Sequence, residues 1–99
     1  MAKSFVIQRD VSTVERWLKK HSDLSHVRVR KCGNLLILES GSKEAPIPHA
    51  RLRRTEIGTW ALEMPHRSRW EPTPYQDREQ EPLLDLLHSS FGWMLMPIA

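Results

Sequence analysis

Two arms of alternating apolar and polar residues flank the segment Glu56-Ile57-Gly58, and this pattern constrains the fold more than any other feature of the chain. Within residues 50–64 the small and apolar side chains fall at every second position of each arm, which is the period of a strand with one buried face. A three-residue loop that ends in Gly58 suits a type I turn followed by a left-handed residue. We therefore predict a β-hairpin at the centre of the fold.

The loop length also predicts the register of this hairpin. If Thr55 lies opposite Thr59, the apolar side chains share one face and the charged ones share the other. The predicted pairs beyond the turn are Arg54 with Trp60, Leu52 with Leu62, Arg51 with Glu63, and Ala50 with Met64.

A second hairpin is predicted from His26–Cys32 and Leu35–Ser40, which flank a glycine-first turn at Gly33-Asn34. Pairing Cys32 with Leu35 sets Lys31 beside Leu36, Arg30 beside Ile37, Val29 beside Leu38, and Arg28 beside Glu39. Arginine thus faces glutamate in both hairpins, which indicates a solvated sheet face on which each pair contributes about 0.2–1 kcal/mol.

Two helices are predicted outside the hairpins. Ser12 to Glu15 matches a capping box, so a helix is expected over 13–22, with Trp17 on its apolar stripe. Pro82 suits the first turn of a second helix, whose apolar face is formed by leucines and which Gly92 can end. These leucines are Leu83, Leu84, Leu86 and Leu87.

Proline and glycine mark the remaining breaks. The stretch GSKEAPIP over 41–48 predicts a loop between the hairpins, and Pro65 to Ser68 are expected to turn the chain. Arg69-Trp70-Glu71 predicts a short last strand ended by Pro72 and Pro74, which belongs at a sheet edge because proline donates no ladder hydrogen bond. The fold class is therefore α+β: one domain over 1–99, with a four- or five-stranded antiparallel sheet of hairpins packed by an N-terminal and a C-terminal helix.

Charge divides unevenly along the chain. Residues 1–54 hold 12 Lys and Arg against 5 Asp and Glu, a net +7, whereas residues 55–99 hold 3 against 7, a net −4, which sums to +3. Such a division could steer a polyanion to one end or let the two halves attract each other, and we favour the second explanation. No apolar run approaches a membrane span, the N-terminus lacks the apolar region of a signal peptide, and Cys32 is alone, so we expect a soluble cytoplasmic protein.

The second half of the chain has a tryptophan in a strand (Trp60), another ten residues on (Trp70), a Pro-x-Pro (Pro72 and Pro74) and a leucine-rich helix. In this pattern it resembles a family of small bacterial domains of unknown function, over most of the chain loosely and over Ala50 to Leu87 best. The resemblance implies a helix-flanked antiparallel sheet and no catalytic residue.

No enzyme or metal motif is found. The five histidines, His21, His26, His49, His66 and His88, have none of the spacings that build a metal site by themselves. His26 and His49 could share the polar sheet face with Glu39 or Glu63. His66 with Glu63 could supply a general acid and base only in a desolvated pocket. We predict no catalytic residue, no metal and no cofactor, and keep a small hydrolase or metal-dependent enzyme as the least favoured alternative.

A nucleic-acid-binding module is the first alternative. His26, Arg28, Arg30, Arg51 and Arg53 are expected to project from one side of adjacent strands, where they could contact phosphates, with Arg67 and Arg69 nearby. Against this, base-stacking aromatic residues are expected to be missing from that face, because Trp60 and Trp70 are assigned to the core side.

The favoured interpretation is a non-catalytic protein-interaction module that associates with itself as a homodimer or with another protein. It depends on the apolar C-terminal sequence WMLMPIA, from which Trp93, Met94, Leu95 and Met96 are predicted as interface residues. The competing explanation is that these residues complete the core of the monomer.

Overall fold

The computed structural model describes residues 6–96, except for the side chains of Trp93 and Met94. Five antiparallel strands form one sheet in the order β1-β2-β3-β4-β5, so that each strand lies beside its neighbour in sequence. The predicted α+β class, with a helix on either side of the strands in the chain, is confirmed. The elements are α1 (Gln8–Lys19), a 3-10 turn (Ser22–Leu24), β1 (Arg28–Cys32), β2 (Leu35–Ser40), β3 (Ile47–Arg54), β4 (Trp60–His66), β5 (Arg69–Asp77), α2 (Gln80–Ser90) and a 3-10 turn (Gly92–Leu95).

Both predicted hairpins have the expected register. In the central hairpin Arg51 faces Glu63, Leu52 faces Leu62 and Arg54 faces Trp60. The backbone N–H of Thr55 donates to the carbonyl of Thr59 at 2.9 Å, and Gly58 has a φ of +86°. All five predicted pairs of the second hairpin are present, from Cys32 with Leu35 to Arg28 with Glu39.

The first helix begins five residues before the predicted start, at Gln8, so the assignment of Ser12 as its N-cap is wrong. The Asp10 carboxylate accepts a hydrogen bond from the backbone N–H of Ile7 at 3.0 Å, which satisfies a donor that the first helical turn leaves without a partner. The helix ends at Lys19, and residues 22–24 form a separate turn.

The last strand runs from Arg69 to Asp77 through both prolines, and so does not end at Pro72 as predicted. It lies at the sheet edge, as expected, where a strand's outward positions need no ladder partner. The register shifts between Ala61 and Glu63, and there the hydroxyl of Thr73 donates to the Leu62 carbonyl at 2.8 Å.

The turn into this strand is shorter than the predicted turn over 65–68. Pro65 and His66 still belong to β4, and the two residues Arg67 and Ser68 close the hairpin with φ values of 49° and 68°. Positive φ at both positions is the signature of a type I′ turn, whose twist suits a two-residue hairpin.

The core lies on one side of the sheet. Strand residues such as Leu36, Leu52 and Leu62 pack there with residues of both helices, including Val14 and Leu84. The helices are also joined directly, since the indole N–H of Trp17 donates to the Asp85 carboxylate at 2.8 Å. No helix in residues 6–96 is long and apolar enough to cross a membrane.

The C-terminal segment divides between core and surface. Leu95, predicted as an interface residue, is a buried member of the monomer's own core, whereas Met96 is 61% exposed. The predicted contacts of the Trp93 and Met94 side chains, and the structure of residues 97–99, lie outside the described part of the chain.

Candidate functional site

The side of the sheet opposite the helices carries the four arginines predicted as a nucleic-acid surface. Side chains alternate between the two faces along a strand, so Arg51 and Arg53 lie on the face that Leu52 does not occupy. Residues paired across neighbouring strands share a face. We call this surface the arginine face, and it consists of Arg28, Arg30, Glu39, Arg51, Arg53, Glu63 and Trp70. The sequence prediction that Arg28, Arg30, Arg51 and Arg53 share one side is consistent with this placement.

Each glutamate on the arginine face is held between two arginines. Glu39 accepts from the Nε of Arg30 at 3.2 Å and lies 3.3 Å from an Nη of Arg28. Arg28 and Arg30 are two residues apart on β1, and Glu39 lies on the neighbouring strand β2. This spacing places both guanidinium groups on the same side of the sheet as the carboxylate.

Glu63 repeats the arrangement on the neighbouring strands. Its two carboxylate oxygens accept from the Nε of Arg51 at 2.6 Å and from the Nε of Arg53 at 3.1 Å. We call each glutamate together with its two arginines a clamp. The sheet therefore carries two neighbouring clamps, each with a net charge of +1.

The glutamates are buried, which the sequence prediction of a solvated face missed. Their side chains are only 5% and 8% exposed, whereas Arg30 and Arg53 are 50% and 39% exposed. The guanidinium groups of the arginines bond to the carboxylates, while Arg30 and Arg53 keep part of their side chains in water. The surface presented to a partner is consequently more cationic than the sum of the charges implies.

In the clamps, three of the four arginines donate to glutamate through the same guanidinium nitrogen, Nε. Within residues 6–96, the hydrogen bonds of Arg30, Arg51 and Arg53 all come from Nε. Guanidinium groups oriented in this way retain Nη donors that can bind a phosphate or carboxylate, with little further loss of side-chain entropy. Arg28 differs, because its Nη groups also reach the carbonyls of Gly41 and Ser42, at 2.6 and 3.5 Å.

Trp70 lies on the arginine face, and its assignment to the core is wrong. It pairs with Pro65, which shares the face of Glu63, and the Arg51 guanidinium carbon lies 4.5 Å from the centre of its ring. Trp60 is buried in the core as predicted. Counting from a two-residue turn at Arg67-Ser68 would have placed Trp70 correctly, but neither residue carries the glycine or asparagine signal of such a turn.

His26 and His49 lie away from the arginine face, which corrects the expectation that they share it. His49 is buried, with its Nε2 2.7 Å from the hydroxyl of Ser40, and its ring meets that of His26 edge-on at 5.8 Å. The Nε2 of His26 lies 2.6 Å from the carbonyl oxygen of Leu95, to which it donates. These two histidines thus join the sheet to the C-terminal turn.

His66, the third residue of the enzyme alternative, is exposed at the end of β4. Glu63 forms ion pairs with Arg51 and Arg53, and among the described residues none is found between Glu63 and His66.

A second cluster joins His21, Asp23 and His88, three residues that sequence spacing did not connect. One nitrogen or oxygen from each lies within 4.8 Å of the others, and His88 Nε2 is 3.0 Å from an Asp23 carboxylate oxygen. The ring of His21 lies 4.3 Å from that of Trp17 and 4.5 Å from that of His88. The hydrogen bond from His88 lowers the pKa of the Asp23 carboxyl, and the charges of His88 and His21 act in the same direction.

Comparison with protein-family models, with curated proteins and with solved structures finds no match to this chain.

Proposed function

We propose that this protein is a non-catalytic binding module whose arginine face binds single-stranded nucleic acid. The observation that carries the proposal is the pair of clamps, in which a buried glutamate orients two partly exposed arginines through Nε. Oriented guanidinium groups suit phosphate, because two N–H donors of one group match two phosphate oxygens.

Trp70 favours a single strand over a duplex. An aromatic side chain on a cationic sheet can stack an unpaired base, and such stacking contributes about 1–3 kcal/mol per base. Arg51 already stacks against this tryptophan, so a base could contact either the indole or the guanidinium plane. With one aromatic residue on this face among residues 6–96, we expect weak sequence preference and strong salt dependence.

The proposal is tested by fluorescence anisotropy of a labelled oligonucleotide, single-stranded or duplex, at several salt concentrations. Neutralising Arg30 and Arg53 together, as Arg30→Gln with Arg53→Gln, is expected to weaken binding at least tenfold. It should also reduce the slope of log K against log salt by about 1.4, since each phosphate contact on a single strand contributes about 0.7.

A matched control removes the same charge from the other side of the molecule. Arg9→Gln with Arg16→Gln alters two exposed arginines on α1, and we expect less than a threefold change. Equal losses in both double variants would mean that net charge alone attracts the oligonucleotide, and the proposed site would be refuted.

A second experiment separates orientation from charge. Glu63→Gln and Glu71→Gln each remove one negative charge, but only Glu63 holds arginines, while Glu71 is exposed on β5. If the clamp orients the arginines, Glu63→Gln weakens binding although the protein has become more positive, whereas Glu71→Gln leaves it equal or slightly stronger. Stronger binding by both variants would contradict the role of the clamp.

Self-association through the C-terminal segment is a second proposal, carried by the exposed Met96, which the apolar sequence Pro97-Ile98 follows. Deleting residues 93–99 would also remove Leu95 from the core, so a substitution is the sharper test. We expect a dimer by light scattering at micromolar concentration that Met96→Glu converts to a monomer, while Ile57→Glu, at another exposed apolar side chain, does not. A monomer before any substitution would exclude this proposal.

A further inference from the structure

The histidine cluster of His21, Asp23 and His88 joins the first 3-10 turn to α2. His21 precedes the first 3-10 turn, Asp23 lies within that turn, and His88 lies in the last turn of α2. The sequence separates His88 from Asp23 by 65 positions, so the packing of α2 beside α1 creates the cluster.

The donor atoms are of the types that bind divalent transition metals. Two imidazole nitrogens and one carboxylate oxygen form a ligand set that occurs around zinc and iron in proteins, with one or more positions left for water. Ligand atoms around a tetrahedral ion, with bonds of about 2.0–2.2 Å, lie roughly 3.4 Å apart. The pair His88 Nε2 and Asp23 Oδ2 is already at 3.0 Å, and all three donors lie within 4.8 Å.

Contacts with Trp17 hold the rings of His21 and His88 near each other. The ring of His21 is tilted against that of Trp17, and the ring of His88 meets Trp17 edge-on at 5.9 Å. The indole N–H of Trp17 is bonded to Asp85, on the same helix as His88. His88 and Asp23 are 32% and 63% exposed in their side chains, so an ion can reach them from solvent. The three donor atoms, which lie within 4.8 Å of one another, need only approach to roughly 3.4 Å to surround a tetrahedral ion.

We propose that His21, Asp23 and His88 form a binding site for one divalent transition-metal ion of the zinc type. The ion takes the place of the proton that His88 Nε2 shares with Asp23; this proton passes to solvent or to Nδ1 of the same ring, and His88 and Asp23 then each bind the metal. The remaining position of the ion is open to water. Bound there, it links the end of α1 to the end of α2 and stabilises the contact between the two helices. This site is independent of the arginine face and of the proposed function.

The test uses the full chain without a histidine tag, because a tag would itself bind metal. Isothermal titration with Zn²⁺ is expected to give one ion per chain, and Co²⁺ is expected to give the visible absorption bands of a tetrahedral site. At a free Zn²⁺ concentration about 100 times the Kd, the Tm should rise by roughly 11–22 °C.

Single substitutions assign the ligands. Asp23→Asn, His21→Gln and His88→Gln should each weaken Zn²⁺ binding at least tenfold, and Asp23 is exposed enough that its variant is expected to fold normally. His66→Gln, at an exposed histidine at the far end of β4, serves as the control and should leave the Kd unchanged.

The outcomes are distinct. Loss of binding in the three ligand variants and not in the control supports the site. Fewer than one ion per chain, or a Kd that Asp23→Asn and His88→Gln leave unchanged, overturns it and assigns the cluster to a structural contact between helices.

Discussion

Replacing Glu63 with glutamine tests the central physical claim about the arginine face, which is that the acid is a buried clamp and not a surface partner. The carboxylate accepts from Arg51 at 2.6 Å and from Arg53 at 3.1 Å, and the side chain is 8% exposed. Glutamine keeps the shape but loses the charge and one acceptor, so two arginines are left with weaker bonds.

The size of the effect lies between two limits. Hydrogen bonds to charged groups contribute about 1.5–3 kcal/mol when they are buried, while an exposed ion pair contributes about 0.2–1 kcal/mol. The glutamate is buried, but Arg51 and Arg53 are 20% and 39% exposed, so water screens their ends of the interaction. We expect Glu63→Gln to lower the free energy of unfolding by about 2 kcal/mol.

Urea unfolding followed by circular dichroism measures this loss. The midpoint should fall while the slope m stays the same, because the surface exposed on unfolding does not change. For a domain of this size, 2 kcal/mol corresponds to a decrease in Tm of roughly 8–16 °C. Glu71→Gln, at the exposed glutamate of β5, is the control and should change the free energy by less than about 0.5 kcal/mol.

A double-mutant cycle attributes the loss to the clamp. Combining Glu63→Gln with Arg53→Gln should cost less than the sum of the two single changes by about 0.5–1.5 kcal/mol, since the two residues contact each other. Two results would show that the clamp does not stabilise the fold. One is a loss of unfolding free energy in Glu63→Gln no larger than that in Glu71→Gln. The other is a double variant whose loss equals the sum of the losses in Glu63→Gln and Arg53→Gln.

Three further changes test the fold. Ser68→Gly should raise the free energy of unfolding by about 0.5–1 kcal/mol in urea titrations, because Ser68 has a φ of 68° that glycine adopts without a Cβ clash. A lower free energy of unfolding in this variant would contradict the type I′ turn. Trp17→Phe should cost at least about 1 kcal/mol by the same assay through loss of the 2.8 Å bond to Asp85, and Asp85→Asn should cost less in the Trp17→Phe background than alone. Leu84→Ala, at a fully buried position of α2, should lower stability by about 3 kcal/mol in thermal unfolding, whereas Ile57→Ala, at a turn residue that is 80% exposed, should change it by less than about 0.5 kcal/mol.

The hairpins show how far local sequence can be carried. Turn length fixes which residues lie opposite one another, and a period of two then assigns each side chain to a face. For this reason the pairs Arg28 with Glu39 and Arg51 with Glu63, and with them the four arginines of the candidate site, could be predicted without a structure. Arg67 and Ser68 are atypical residues for a two-residue turn with positive φ, so the turn was not recognised from the sequence. The register of β5 could then not be counted, and Trp70 was predicted on the wrong face of the sheet.

The start of α1 shows a second limit of local pattern. Ser12 and Glu15 match a capping motif, but the helix already begins at Gln8, where the Asp10 carboxylate accepts from the backbone N–H of Ile7. The longer helix buries Val11 as well as Val14. A motif identifies residues that can cap a helix, and the amount of apolar surface that packs decides which of them does so.

The amino-acid sequence by itself determined the register of the first two hairpins and the grouping of the four arginines, because those depend on neighbours close in the chain and on a strict alternation of faces. Only the tertiary structure decided that Glu39 and Glu63 are buried, that Leu95 belongs to the core, and that His21, Asp23 and His88 meet. Burial of a charged side chain depends on how side chains from neighbouring strands pack around it. Contact between residues 65 positions apart depends on the docking of two helices, and no periodicity in the sequence encodes that.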